Sequence, residues 1–107
     1  MSTVLVRPFG PLQGGATQNI AVTASTQNQV ITPNGIGYRS IRIVNVGTQT
    51  VFVTFGKDNT VTASLTTSMP VAASSVEVFT LDQDITYIAV IAAATGSTVY
   101  YTVGQGI

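Results

Sequence analysis

The chain has 107 residues, of which 45% are hydrophobic and only 7% charged, and its four basic and four acidic side chains give a formal net charge of zero. That length builds one domain around one core, and the apolar content excludes a disordered chain, which combines low hydrophobicity with high net charge. Neither cysteine nor histidine occurs, so a disulfide framework is excluded and the commonest metal ligands are missing.

A charge fraction so far below the roughly 25% of ordinary soluble domains leaves little repulsion between copies. It predicts that much of the surface is covered by other protein. Residues 1–10 lack the long apolar core of a signal peptide. The most apolar run, residues 88–94, falls well short of the about 20 residues of a membrane-spanning helix. A soluble, unprocessed protein is expected, and the missing cysteines are compatible with a reducing cytoplasm.

Residues 1–17 read as an extended N-terminal arm and residues 18–107 as a β-sandwich domain. Pro8 and Pro11 bracket Gly10, and Gly14-Gly15 follows, a composition unsuited to a regular strand or helix. Val4, Leu5, Val6, Phe9 and Leu12 are nevertheless apolar and ill-suited to a solvated tail. Two readings stand: a strand folded back on its own domain, or an arm that docks these side chains on a neighbouring subunit.

From Gln18, the residues Ile20, Val22 and Ala24 recur at every second position, the pattern of a half-buried strand. A polar turn over 24–28 leads to a brief strand over 29–32, and Pro33-Asn34-Gly35 is a strong turn signal. Residues 41–46 and 50–55 are the two runs that organise the chain. Ile41 and Ile43 alternate in the first and Val51, Val53 and Phe55 in the second, and the linker Gly47-Thr48-Gln49 predicts a hairpin between them. After the turn at 56–59, the Thr-, Ser- and Ala-rich stretch 60–75 reads as a long loop with one short strand near 68–71, held to a sheet edge by Pro70. Strands over 76–81, 85–93 and 98–103 complete the set, the last two joined as a second hairpin through Thr95-Gly96-Ser97.

No segment carries a helical apolar period. About eight short strands separated by Gly, Pro and Asn turns predict an all-β fold, an antiparallel two-sheet sandwich of jelly-roll-like form with an extended N-terminal arm. An immunoglobulin-like topology competes, without its Cys and Trp. Two strands are apolar on both faces. In 85–93, Ile88, Val90 and Ala92 oppose Tyr87, Ala89 and Ile91; in 38–46, Val44 and Val46 oppose Ile41 and Ile43. A sandwich covers one face of each sheet, so the outer faces need a packed loop, the arm or another subunit. Phe52 lies opposite Val51 and Val53 in the same way, which makes the outer face of the 41–56 hairpin a candidate docking surface.

Chemistry is sparse. Asp82 and Asp84 offer carboxylates for Ca²⁺, but with only Gln83 beside them a solvated turn is the better account. Glu77 has no second carboxylate or histidine in sequence reach and reads as an outward-facing charge on an edge strand. The serines and threonines lack a base, and the sole lysine, Lys57, lies in a turn. Gly35-Ile36-Gly37 and Gly104-Gln105-Gly106 open no helix and so lack the means to bind phosphate. Arg7, Arg39, Arg42 and Lys57 are too scattered for a nucleic-acid footprint. Of the tyrosines, Tyr101 shares the period of Val99 and Val103 and is assigned to the core, whereas Tyr100 points to the surface. No enzyme, no cofactor and no metal site is expected.

The second half resembles small β-sandwich proteins of tailed bacteriophages, the head-decoration (cement or staple) class. The likeness rests on Arg42-Ile43-Val44-Asn45-Val46-Gly47, Val51-Phe52-Val53-Thr54-Phe55-Gly56, Met69-Pro70-Val71, Val76-Glu77-Val78-Phe79, Tyr87-Ile88-Ala89-Val90-Ile91-Ala92 and Tyr100-Tyr101-Thr102-Val103-Gly104-Gln105-Gly106. The resemblance implies a structural virion protein on the capsid exterior, assembled in the host cytoplasm. Such a protein binds the major capsid protein as a homodimer or homotrimer and cross-links neighbouring capsomers, without nucleic-acid or membrane partners. Val4, Val6, Arg7, Phe9, Leu12, Val44, Val46 and Phe52 are the expected capsid or subunit contacts. The alternatives are a carbohydrate-binding or host-adhesion module of a tail fibre, and a head-completion or tail structural protein.

Overall fold

The computed structural model of the protein describes residues 8–11, 17–32 and 39–106. Val4, Val6, Arg7 and Leu12, and the turn at Pro33-Asn34-Gly35, lie outside them. The strands are β1 (Gly10–Pro11), β2 (Gln18–Val22), β3 (Gln27–Val30), β4 (Arg39–Gly47), β5 (Val51–Gly56), β6 (Met69–Val71), β7 (Val76–Leu81), β8 (Tyr87–Ala92) and β9 (Ser97–Gln105).

They form two antiparallel sheets. In sheet I, β4 lies between β7 and β9, and β1 and β2 both pair the other side of β9; in sheet II the order is β3-β8-β5-β6. The register places Gly10–Pro11 beside Gly104–Gln105 and β2 beside residues 97–101, so β1 and β2 are two pieces of one edge position. Chain neighbours β2 and β3, β4 and β5, β6 and β7, and β8 and β9 then fall in opposite sheets. That alternation is the wrapping of a jelly roll, and it gives the expected all-β two-sheet sandwich.

Both expected hairpins are absent. β4 pairs with β7 and β9, and β5 with β6 and β8, so residues 41–46 and 50–55 never pair with each other. β8 and β9 likewise lie in different sheets. The two short linkers are crossovers that pack on one another at one end of the sandwich. Thr48 N donates to Gly96 O at 3.3 Å and Gln49 N to Ser97 Oγ at 2.9 Å. Gly47 has φ 149° and approaches the Gly96–Ser97 backbone so closely that a Cβ would stand 2.5 Å from Ser97 Cα. A period of two reports the face that a strand buries; it is silent on the strand's partner.

The alternating positions close the core as expected. Ile41, Ile43, Val51, Val53, Ile88 and Val90 are fully buried between the sheets, each worth about 1.5–3 kcal/mol of transfer free energy. Tyr101 is buried and Tyr100 exposed, as its alternation requires. Pro70 sits in β6 at the edge of sheet II, where its missing N–H breaks no ladder. Glu77 is exposed on the edge strand β7, yet its register opposite Ile43 places it on the side of Phe79 and Leu81, at the open rim. A charge in that position discourages another strand from adding to the edge.

Strand β3 begins two residues earlier than the apolar pattern suggests because its inward positions are glutamines. Gln29 Nε2 donates to Tyr101 Oη at 2.7 Å, and Tyr101 Oη donates to Val30 O at 3.0 Å. Burial pushes the Tyr101 phenol up from 10.0 to about 12. A raised acid pKa stabilises the fold fully below the unfolded value and loses that contribution as pH climbs through the folded one. Alkaline urea titrations should therefore show stability falling between pH 10 and about 12. Tyr101→Phe should be flatter over that window, and an identical slope in both proteins would refute the linkage.

The outer face of sheet II is covered by the chain itself. Ala89, at its centre, has no exposure although its parity is outward. On one side its register partner Asn28 donates through Nδ2 to Asn59 O at 2.9 Å and Val61 O at 3.4 Å. On the other, its partner Thr54 hydrogen-bonds Ser68 through their hydroxyls. The loop over 57–68 thus bridges the face from β3 to β5, and Ala63 within it is buried. This is the lid that the two-faced β8 requires.

Candidate docking face

Among the described residues no loop crosses the outer face of sheet I in this way. Its outward positions are Asn19 and Ala21 on β2, Thr98, Tyr100, Thr102 and Gly104 on β9, Ser40, Arg42, Val44 and Val46 on β4, and Val76, Val78 and Thr80 on β7. The ladder sets them in rows: Asn19, Tyr100, Val44 and Val76 stand side by side, followed by Ala21, Thr98 and Val46. Val46 is 53%, Val76 45% and Tyr100 39% exposed, three of the five exposed large hydrophobics among the described residues. Cross-strand neighbours lie about 5 Å apart, so the side chains make one apolar surface rather than isolated spots.

Charge is almost absent from it. Among the described residues, Arg42 is the one ionisable cation or carboxylate with outward parity on sheet I. Asp84 pairs with Lys57 at 3.5 Å in the exposed turns at one end, a contact worth little in water. Among the described residues no three His, Cys, Asp or Glu side chains converge. Arg39 is buried and donates through Nη2 to Asp82 O and Ile85 O. Its desolvation lowers the guanidinium below its ordinary value.

Of the expected contact residues, the structure brings together Phe9, Val44 and Val46. Gly104 has outward parity on β9, and a Cβ there would stand 2.6 Å from Phe9 Cζ, so the ring rests on this face. Phe52 is a correction. Its register opposite Ile91 and Pro70 turns it out of sheet II, on the other side of the sandwich from Val44 and Val46. The supposed single outer face of the 41–56 segment is two faces, because the segment crosses between sheets. Tyr100, Val76 and Val78 share this face and were not among the expected contacts; Tyr100 was legible as a surface side chain, but the valines need the register of β7 on β4.

Gly104 gives a direct handle on the root of the arm. A Cβ there would also collide with the Gly10 carbonyl oxygen, so Gly104→Ala should pry β1 and Phe9 from the sheet while the core stays closed. Chymotryptic cleavage after Phe9 should accelerate on the order of tenfold through local opening. Unchanged cleavage would show that Phe9 is not held by this contact.

No family model and no curated protein matches the chain. A solved structure described as "Bacillus endospore appendages form a novel family of disulfide-linked pili" is similar in fold, with a TM-score of 0.51 at 19% identity over 100% of this chain and 97% of that chain. At that identity the likeness shows a shared all-β fold. Disulfide linkage belongs to that protein, since this chain contains no cysteine.

Proposed function

We propose that the chain is a non-enzymatic structural subunit that docks on protein through the outer face of sheet I, joining copies of itself to one another and to the lattice it decorates. One observation carries this reading: the Tyr100, Val44, Val76 and Val46 surface is left open while the chain spends its own loop on the opposite face. Monomeric proteins rarely expose contiguous apolar surface without a use for it. The polar groups inside the sandwich point the same way. Arg39, Asn45, Gln29 and Tyr101 are engaged in hydrogen bonds that hold strands and turns.

The finer reading places the subunit on the exterior of a tailed-phage head, with the major capsid protein as its partner. It is supported by the resemblance of residues 42–106 and by a surface with few charges to desolvate. Several weak contacts per oligomer would cross-link capsomers through effective concentration. An appendage filament is the second reading, favoured by the fold shared with a pilus-forming protein.

Purified protein mixed with expanded heads lacking it should co-sediment with them. Val46→Asp should abolish that binding. If neither protein binds heads but the wild type forms filaments by electron microscopy, the appendage reading replaces the capsid one. Wild-type protein that does neither would defeat the structural role.

A further inference from the structure

A lone cation inside an apolar docking face is costly to bury unless its partner supplies a countercharge. Arg42 is in that position. It is exposed on β4, with Thr102 on one side and Val78 on the other in the ladder, one row and two residues from the Tyr100, Val44 and Val76 row. Among the described residues no carboxylate forms an ion pair with it. Beside it opens a depression lined by Phe9, Pro11, Thr17, Arg42 and Thr102. The Thr17 and Thr102 hydroxyls are 2.8 Å apart, so one of the two hydroxyl protons is committed between them and the other remains to be donated.

We propose that this depression is a carboxylate-receiving subsite, and that the protein surface docking on sheet I presents an aspartate or glutamate to Arg42 beside apolar side chains. The inference rests on the docking reading above and names the chemistry of the partner. The guanidinium offers paired N–H donors to the two carboxylate oxygens. A threonine hydroxyl is placed to donate a further hydrogen bond, and the Phe9 and Pro11 rings line the aliphatic stem. A protein acid fits better than an acidic sugar, because the ligand body must also cover Val44, Val46 and Val76, side chains that offer a sugar ring no hydrogen-bonding partners. Arginine is enriched at interface cores for this combination of planar pairing and packing.

The test uses the full-length chain and two tripeptide probes, acetyl-Val-Glu-Val-amide and acetyl-Val-Gln-Val-amide, followed by amide shifts in NMR titrations. The glutamate probe should bind about tenfold more tightly than the glutamine probe, the ratio expected for one charge-assisted pair. Its shifts should centre on Arg42 and Thr102 and weaken with added salt. Arg42→Gln should erase the difference between the probes with the rest of the spectrum unchanged. Equal binding of the two probes, or shifts centred elsewhere, would overturn the proposal, as would saturable binding of methyl glucuronide with no response to the glutamate probe. The titration is repeated on Val46→Asp, which breaks the apolar rows but keeps Arg42. Retained discrimination there, alongside wild-type protein that does not assemble, would leave the subsite standing and remove the docking reading. Assembly without discrimination would do the reverse.

Discussion

Replacing Arg39 with alanine should lower the unfolding free energy by about 3–4 kcal/mol, the sum of a large-to-small core loss and lost hydrogen bonds from a charged donor. Arg39 is 1% exposed at the start of β4, with Leu81 as its neighbour in the ladder. Its Nη2 reaches the carbonyl oxygens of Asp82 and Ile85, the two ends of the turn that carries the chain from sheet I to sheet II. The same turn bonds the residue that follows β3, through Ile31 N to Thr86 O at 2.7 Å, and β5, through Thr86 N to Gly56 O at 3.0 Å. Losing the guanidinium therefore loosens one whole end of the sandwich. Arg39→Met keeps most of the volume and removes a buried charge, so urea unfolding should show it recovering part of the loss. An alanine variant of wild-type stability would mean that the turn holds itself.

The opposite end depends on Asn45. Its side chain is buried at 1% exposure, and Nδ2 donates to Gln49 O at 2.8 Å, Val71 O at 3.0 Å and Ala72 O at 3.2 Å. These carbonyls belong to the β4–β5 crossover and to the departure from β6, which no strand ladder ties together. Asn45→Leu should cost about 3 kcal/mol, because it leaves buried acceptors without a donor. Asn45→Asp should cost at least as much, since an acid places oxygens against three carbonyls in a dry site. Equilibrium urea denaturation of both variants checks this, and a leucine variant as stable as the wild type would show that the carbonyls find other donors.

These two residues also mark where sequence reasoning stops. The alternation of Ile41 and Ile43, and of Val51 and Val53, is enough to place their strands and inner faces, because each apolar side chain must leave water. The same alternation treats Arg39 and Asn45, on those inward positions, as exceptions with no visible cause. Their role depends on carbonyls 43 and 26 residues away. Strand pairing failed for a related reason. Gly47-Thr48-Gln49 has hairpin length, but both edges of β4 are taken by β7 and β9, and that competition among strands distant in sequence is invisible locally. Half of the candidate docking face was legible, in that Val44 and Val46 had no reason to be apolar on a second side. Phe52 met the same criterion and lies on the other sheet, since periodicity cannot say which sheet a strand joins.

The most direct test of the docking face is the solution mass of the wild type against Val46→Asp by multi-angle light scattering. Val46 is the most exposed large hydrophobic of the face, and a substitution at so open a site should change folding stability by no more than about 0.5 kcal/mol. The wild type should run as a dimer or trimer. Val46→Asp should run as a monomer with an unchanged melting temperature. A wild type that stays monomeric at high concentration, or a variant that assembles as the wild type does, would contradict a docking role for the outer face of sheet I.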